Sequence, residues 1–108
     1  MYQILTTDAG GQIASVITRP KFSPGQIVST PGALAAMEAH ECSPLTLLAR
    51  HLSGDWGPIP VDDARLNDQA LQSDGRVLSS YPLGGNTRIW VITEWDRSVT
   101  TFLLPEEY

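Results

Sequence analysis

Arg76–Leu104 reads RVLSSYPLGGNTRIWVITEWDRSVTTFLL, an alternation of strand-like runs and tight turns. Three β-type runs, about Arg76–Tyr81, Thr87–Glu94 and Val99–Leu104, are separated by the turn sequences PLGGN and WDRS. Connections this short join neighbouring antiparallel strands, so the stretch predicts a three-stranded meander. Alternation places Ile89, Val91 and Thr93 on one face of the middle run, with Trp90 and Ile92 on the other. Both sets are largely apolar, which predicts a middle strand buried on both sides.

Upstream the pattern is helical. Thr30-Pro31 supplies an N-cap and a first-turn proline for a helix to about His40, and Ser43-Pro44 repeats the signature for a second helix to about Leu52. On that second helix Leu45, Leu48, Ala49 and Leu52 share a face at ~100° per residue. The segment GDWGPIP, with two glycines and two prolines, reads as an irregular loop. A third helix is predicted from about Val61 to Gln72, its inward side defined by Ala64, Leu66, Ala70 and Leu71. Before all of these, YQILTT and QIASVITR flank Asp8-Ala9-Gly10-Gly11 as a hairpin, and QIVST is a further strand candidate. The expected architecture is α+β: an antiparallel three-stranded C-terminal meander covered by two to three helices, with an N-terminal β-hairpin. It is expected to form a single domain over residues 1–108, residues 1–21 being a hairpin extension and 22–108 the core.

The net charge is −5, and its distribution is uneven. Residues 1–50 are balanced, whereas residues 51–108 carry four arginines against nine carboxylates. An acidic balance of this kind disfavours generic binding to nucleic-acid phosphates, so DNA binding is not expected, and it suits a basic protein partner. No apolar run approaches the ~20 residues needed to cross a bilayer. The start MYQILTTDAGG lacks the basic and apolar regions of a secretory signal, and the lone Cys42 makes no internal disulfide. A cytoplasmic location is the expectation.

Several residues could carry chemistry. His51, at the end of the second helix, could act as a general acid/base or cap the helix C-terminus. Asp55 and Trp56 lie in the constrained loop, either as binding residues or as a backbone cap and a core plug. Asn67 falls on the inward side of the third helix, where a buried amide needs partners; the loop backbone around Asp55 is one candidate. Arg76 or Arg97 could neutralise a phosphate while Thr100 or Thr101 donates a hydroxyl; Tyr81, Glu94 and Asp96 join Asp55, Trp56 and Asn67 as candidate binding residues. The alternative makes Asp96-Arg97 a turn ion pair and the threonines ordinary strand formers. His40, Glu41, Cys42 and His51 do not have zinc-site spacing, no Gly-rich phosphate loop is present, and neither a metal nor a cofactor is expected.

The segments FSPGQIVSTPGAL, LLARHLSGDWG, NDQAL, GRVLSSY and WVITEWDRSVTTFLLPEEY together resemble a family of small uncharacterised bacterial proteins found largely on plasmids and other mobile elements. The resemblance runs from about Phe22 to Tyr108. Members are often labelled restriction-related, but this chain has neither the length of a methyltransferase domain nor an Asn/Asp-Pro-Pro-aromatic motif. The resemblance implies a mobile-element accessory protein, and with the acidic half it points to a non-enzymatic role in protein binding, such as inhibition of a host defence system. A second resemblance is architectural. A His-bearing helix followed by a meander with Arg, Ser and Thr is similar to barnase/RelE-like ribonucleases. That likeness implies metal-independent RNA cleavage, with His51 as acid/base, Arg76 or Arg97 as phosphate clamp, and Thr100 or Thr101 as hydroxyl donor.

Overall fold

The structure is a computed structural model that describes Gln3–Ile4 and residues 20–108. Its elements are β1 (Gln3–Ile4), β2 (Gln26–Ser29), α1 (Pro31–Ala39), α2 (Pro44–Leu52), α3 (Val61–Gln72), β3 (Val77–Gly84), β4 (Thr87–Thr93), β5 (Val99–Leu103) and a closing 3-10 turn, Pro105–Glu107. The class is α+β. Strands β3, β4 and β5 form the antiparallel meander, with Ser79 opposite Val91 and Val91 opposite Phe102.

The sheet does not stop at the meander. Its order is β1-β2-β5-β4-β3, and β2 runs parallel to β5, pairing Ile27 with Thr100 and Ser29 with Phe102. This corrects the all-antiparallel three-stranded expectation. A bare meander would expose the unpaired N–H and C=O groups of β5 along an open edge, which β2 occupies instead. Gly25 (φ +65°) allows the approach: a Cβ there would lie 2.3 Å from the Ser98 carbonyl oxygen. The expected N-terminal hairpin falls outside the described residues except for Gln3–Ile4, which pairs antiparallel with Ser29 and Val28.

The helices begin where the capping residues place them. Thr30 Oγ1 accepts from Ala33 N (3.0 Å) and Ser43 Oγ from Leu45 N (3.2 Å), each just before a proline. Thr30 also donates to Glu107 Oε1 (2.6 Å), and that oxygen accepts from Leu104 N, so the start of α1 is tied to the closing turn. Ala33, Met37, Leu47, Leu48 and Leu52 pack on Tyr81, Ile89, Val91 and Phe102 to form the main core. Each fully buried large side chain of this kind contributes roughly 1.5–3 kcal/mol. Trp56, Ala70 and Val77 make a second cluster beside it.

Two helix faces differ from the pattern reading. On α2 the buried set is Leu47, Leu48, His51 and Leu52, so the inward stripe is rotated from the Leu45/Ala49 side toward His51. A histidine scores as polar in a periodicity count, yet here it is core. On α3 the buried residues are Asn67 and Ala70, while Leu66 is 63% exposed. The helix is anchored by its amide, and Leu66 is left facing water.

Candidate functional site

His51 is fully buried, against the helical face of the sheet. Its Nδ1 lies 2.6 Å from Ser79 Oγ and its Nε2 lies 2.9 Å from Thr93 Oγ1. Thr93 Oγ1 is 2.6 Å from Thr100 Oγ1, and Thr100 donates to the Pro24 carbonyl at 2.7 Å. The proton directions follow from the far end of this chain. Thr100 has one proton and gives it to Pro24, so Thr93 donates to Thr100 and His51 Nε2–H donates to Thr93. Nδ1 then accepts from Ser79. His51 is therefore a neutral Nε2–H imidazole with both nitrogens engaged. Burial, followed by the charge of Arg97, lowers its pKa from 6.5 to about 3. Phe22 and Trp56 enclose the ring edge-on, with centroids 5.3 and 5.9 Å away.

Arg97 joins three elements. It sits in the β4–β5 turn at φ +60°, a left-handed conformation uncommon for a residue with a side chain. Its guanidinium donates to the carbonyls of Gly75, Ala70 and Glu94, and lies over the Phe22 ring. The Ala70 carbonyl is one of the last-turn acceptors of α3, so Arg97 caps that helix from outside its own chain segment. The turn ion pair expected between Asp96 and Arg97 is absent among the described residues. Asp96 instead accepts from Ser98 N at 3.0 Å, and the Ser98 hydroxyl together with that N–H lowers its pKa.

Asn67 fixes the free edge of the sheet. Its Nδ2 donates to Leu78 O (2.8 Å) and its Oδ1 accepts from Leu78 N (3.1 Å), reproducing the exchange a neighbouring strand would make. Its partner is the β3 backbone, where the sequence pointed to the loop around Asp55. That loop continues the same edge, since Ser80 N donates to Trp56 O at 2.9 Å. Gly57 (φ +80°) permits the contact, because a Cβ there would lie 2.0 Å from the Ser80 carbonyl oxygen. Tyr81, fully buried, donates to Asp55 O at 2.6 Å, and burial raises its pKa. Trp56, 6% exposed, stacks near Phe22 and donates to Asp68 Oδ1. The Asp55 carboxylate takes Arg50 Nε at 2.7 Å and Gly57 N at 3.2 Å, and the Arg50 bond holds its pKa below the usual range.

Of the five residues assigned to phosphate chemistry, His51 and Thr100 belong to one network, with Arg97 close enough to act on the imidazole. Arg76 and Thr101 are elsewhere. Thr101 pairs with Ile92 and faces the other side of the sheet, where Arg76 donates to Tyr108 Oη at 2.6 Å. His51, Ser79, Thr93 and Thr100 have no accessible surface. No buried side-chain nitrogen or oxygen lacks a partner among the described residues. The expectation that His51 caps a helix end as a cation is also replaced, because the ring is neutral and internal.

The β4–β5 turn presents Trp95 at 58% exposure between Glu94 and Asp96. Pattern reading passed over Trp95, although an aromatic side chain between two carboxylates in a turn was its available signal. Among the described residues, no helix is long and apolar enough to cross a membrane. No group of three His, Cys, Asp or Glu side chains there is placed to hold a metal. No protein-family model matches the chain, and neither a curated protein nor a solved structure matches it significantly.

Proposed function

We propose that this chain is a non-enzymatic binding protein that engages a basic protein partner through the β4–β5 turn. The observation that carries the reading is Trp95, exposed at 58% on a turn that Arg97 locks to the end of α3. A large aromatic side chain on a fixed support can enter a partner pocket with little ordering entropy, which is how binding hot spots are built. Arg97 turns its charge inward, so the turn carries half-buried Glu94 and exposed Asp96 on either side of Trp95 in sequence with no outward cation among these residues. A lysine or arginine from the partner would meet both the indole face and these carboxylates. An acidic accessory protein of a mobile element, including one that blocks a host defence protein, fits this surface.

The test places a photo-crosslinking amino acid at position 95 in bacterial cells. The expected result is one discrete adduct with a basic protein, lost when Asp96→Lys is added and retained when Leu66→Lys is added. Diffuse labelling, or an adduct indifferent to Asp96→Lys, would reject the reading.

The ribonuclease reading has one observation in its favour, the linkage of His51, Thr93 and Thr100 beside Arg97. It requires the network to open toward substrate. Expression of the wild-type chain beside Thr93→Val, with cellular RNA compared, decides it: equal growth and identical RNA profiles reject cleavage, and wild-type-specific fragments support it.

A further inference from the structure

The face of the sheet turned away from the helices carries a second cluster of arginines and aromatic side chains. Trp90, half-buried on β4, meets Tyr108 edge-on at 5.7 Å, and Tyr108 is 66% exposed. Arg76 lies over the Tyr108 ring at 5.4 Å. On the other side of Trp90, Arg88 donates to Ser80 Oγ at 3.0 Å, Ser80 being the register partner of Trp90. Both arginines are exposed.

Their charges distinguish them from the other described arginines. Arg50 is bonded to Asp55, Arg65 to Asp62, and Arg97 to backbone carbonyls. Among the described residues, Arg76 and Arg88 meet no carboxylate within ion-pairing distance; each has a hydroxyl instead. A neutral hydroxyl leaves most of the fork of a guanidinium open to phosphate oxygens. In a chain of net charge −5, two uncompensated guanidinia flanking two aromatic rings form a local exception to the global sign.

From this juxtaposition we infer that the Arg76–Tyr108–Trp90–Arg88 face binds a short single-stranded nucleic-acid segment. The rings offer π-faces on which bases stack, and the arginines hold the backbone at either end. Dimensions select a strand over a single nucleotide. Six strand positions separate the backbone of Arg76 from the Pro82–Arg88 pair, roughly 20 Å at 3.3 Å per residue, and the guanidinia reach inward from those ends to separate hydroxyls, Tyr108 Oη and Ser80 Oγ. One phosphate cannot bridge that separation, whereas a strand of a few nucleotides can. The acidic helix α3 packs through Ala70 onto Val77 and is held along the β3 edge by Asn67. At physiological salt, charges beyond ~8 Å are largely screened. Asp74, exposed two residues before Arg76, and Glu106, exposed on the closing turn, are nearby opposing carboxylates in sequence and limit the site to a short segment, while Glu107 is engaged by Thr30 and Leu104 N. The inference departs from the expectation drawn from net charge, which addresses only generic phosphate binding.

The test is fluorescence anisotropy of the full chain with a labelled single-stranded octanucleotide, as RNA and as DNA. The same sequence as a duplex and adenosine monophosphate serve as competitors. The expected result is binding of the single strand with a log K against log salt slope near −1.4, from two phosphates at about −0.7 each. Arg76→Gln or Arg88→Gln should each remove about half of that slope. The double variant should weaken binding at least about tenfold, while Trp95→Ala leaves it unchanged and so separates this site from the protein-binding turn. Absence of binding, or binding unaltered in a double variant that retains its circular dichroism spectrum, would overturn the inference. Equal competition by the duplex or by the mononucleotide would overturn it as well.

Discussion

Similar residue types occupy the two faces of one sheet and are used in opposite ways. On the helical face His51, Ser79, Thr93, Thr100 and Arg97 form a polar core in which each described donor and acceptor is engaged. On the other face Arg76, Arg88, Trp90 and Tyr108 make single neutral contacts and keep their charged and aromatic surfaces available. The difference arises from what covers each face. Helix α2 seals the first, so every polar atom there needs a partner or incurs a desolvation cost. On the second, at Arg76, Arg88 and Tyr108, water satisfies whatever the protein does not. Residue identity alone therefore does not separate the two faces; accessibility of the charged end does.

Acid offers the largest test of the contrast. His51 has a folded-state pKa of about 3 and an unfolded value of 6.5, so protonation favours the unfolded chain. Its stabilising contribution is complete above pH 6.5 and is lost as pH falls from there toward about 3. At ~1.4 kcal/mol per unit the loss is on the order of 4–5 kcal/mol. Urea unfolding followed from pH 7 to pH 4 should show the decline, and Thr93→Val, which removes the acceptor for Nε2–H, should already be destabilised at pH 7. A flat profile would mean the ring is solvated, as in an open site. Replacing His51 by Ala is expected to destabilise the fold by about 3 kcal/mol, from the cavity and the orphaned Ser79 and Thr93 hydroxyls.

Next in size is the edge latch. Asn67→Ala leaves Leu78 N–H and C=O without their partner and should lower stability by at least about 2 kcal/mol, at ~1–3 kcal/mol for each of the two stranded groups. Equilibrium denaturation measures it, and an unchanged midpoint would refute the latch. The smallest effects belong to exposed groups. Arg50→Ala, which breaks the half-exposed pair with Asp55, should cost less than about 1 kcal/mol. Trp95→Ala should shift thermal unfolding by no more than ~0.5 kcal/mol while abolishing the crosslinked adduct. A large loss of stability in Trp95→Ala would make the turn a structural element and remove the basis for partner binding.

Much of the fold was legible because its signals are local. The Thr30-Pro31 and Ser43-Pro44 caps set the starts of α1 and α2, and two turn sequences set the meander. The parallel pairing of β2 with β5 was hidden, since it joins residues some seventy positions apart and leaves no periodicity in either strand. The candidate site was legible in its members and obscured in its meaning. His51, Thr100 and Arg97 stand out by residue type, but whether they line a cleft depends on how far α2 is rotated about its axis. That rotation is set by Leu47 packing inward, which a leucine-rich helix does not announce. Asn67 was recognised as buried, yet its partner was misplaced because the sequence does not show which strand is the edge. Trp95 was missed because the turn around it was read only for its charges.

The polar core around His51 is closed, which leaves the exposed ends and face of the sheet for the recognition proposed above. Nitrogen NMR of the histidine ring addresses it most directly. His51 is expected to remain a neutral Nε2–H tautomer from pH 7.5 down to pH 5, with Nδ1 carrying the shift of a hydrogen-bond acceptor and Nε2–H protected from solvent exchange. Titration of His51 near pH 6.5 with rapid Nε2–H exchange would contradict it and reopen the case for His51 as an acid/base group.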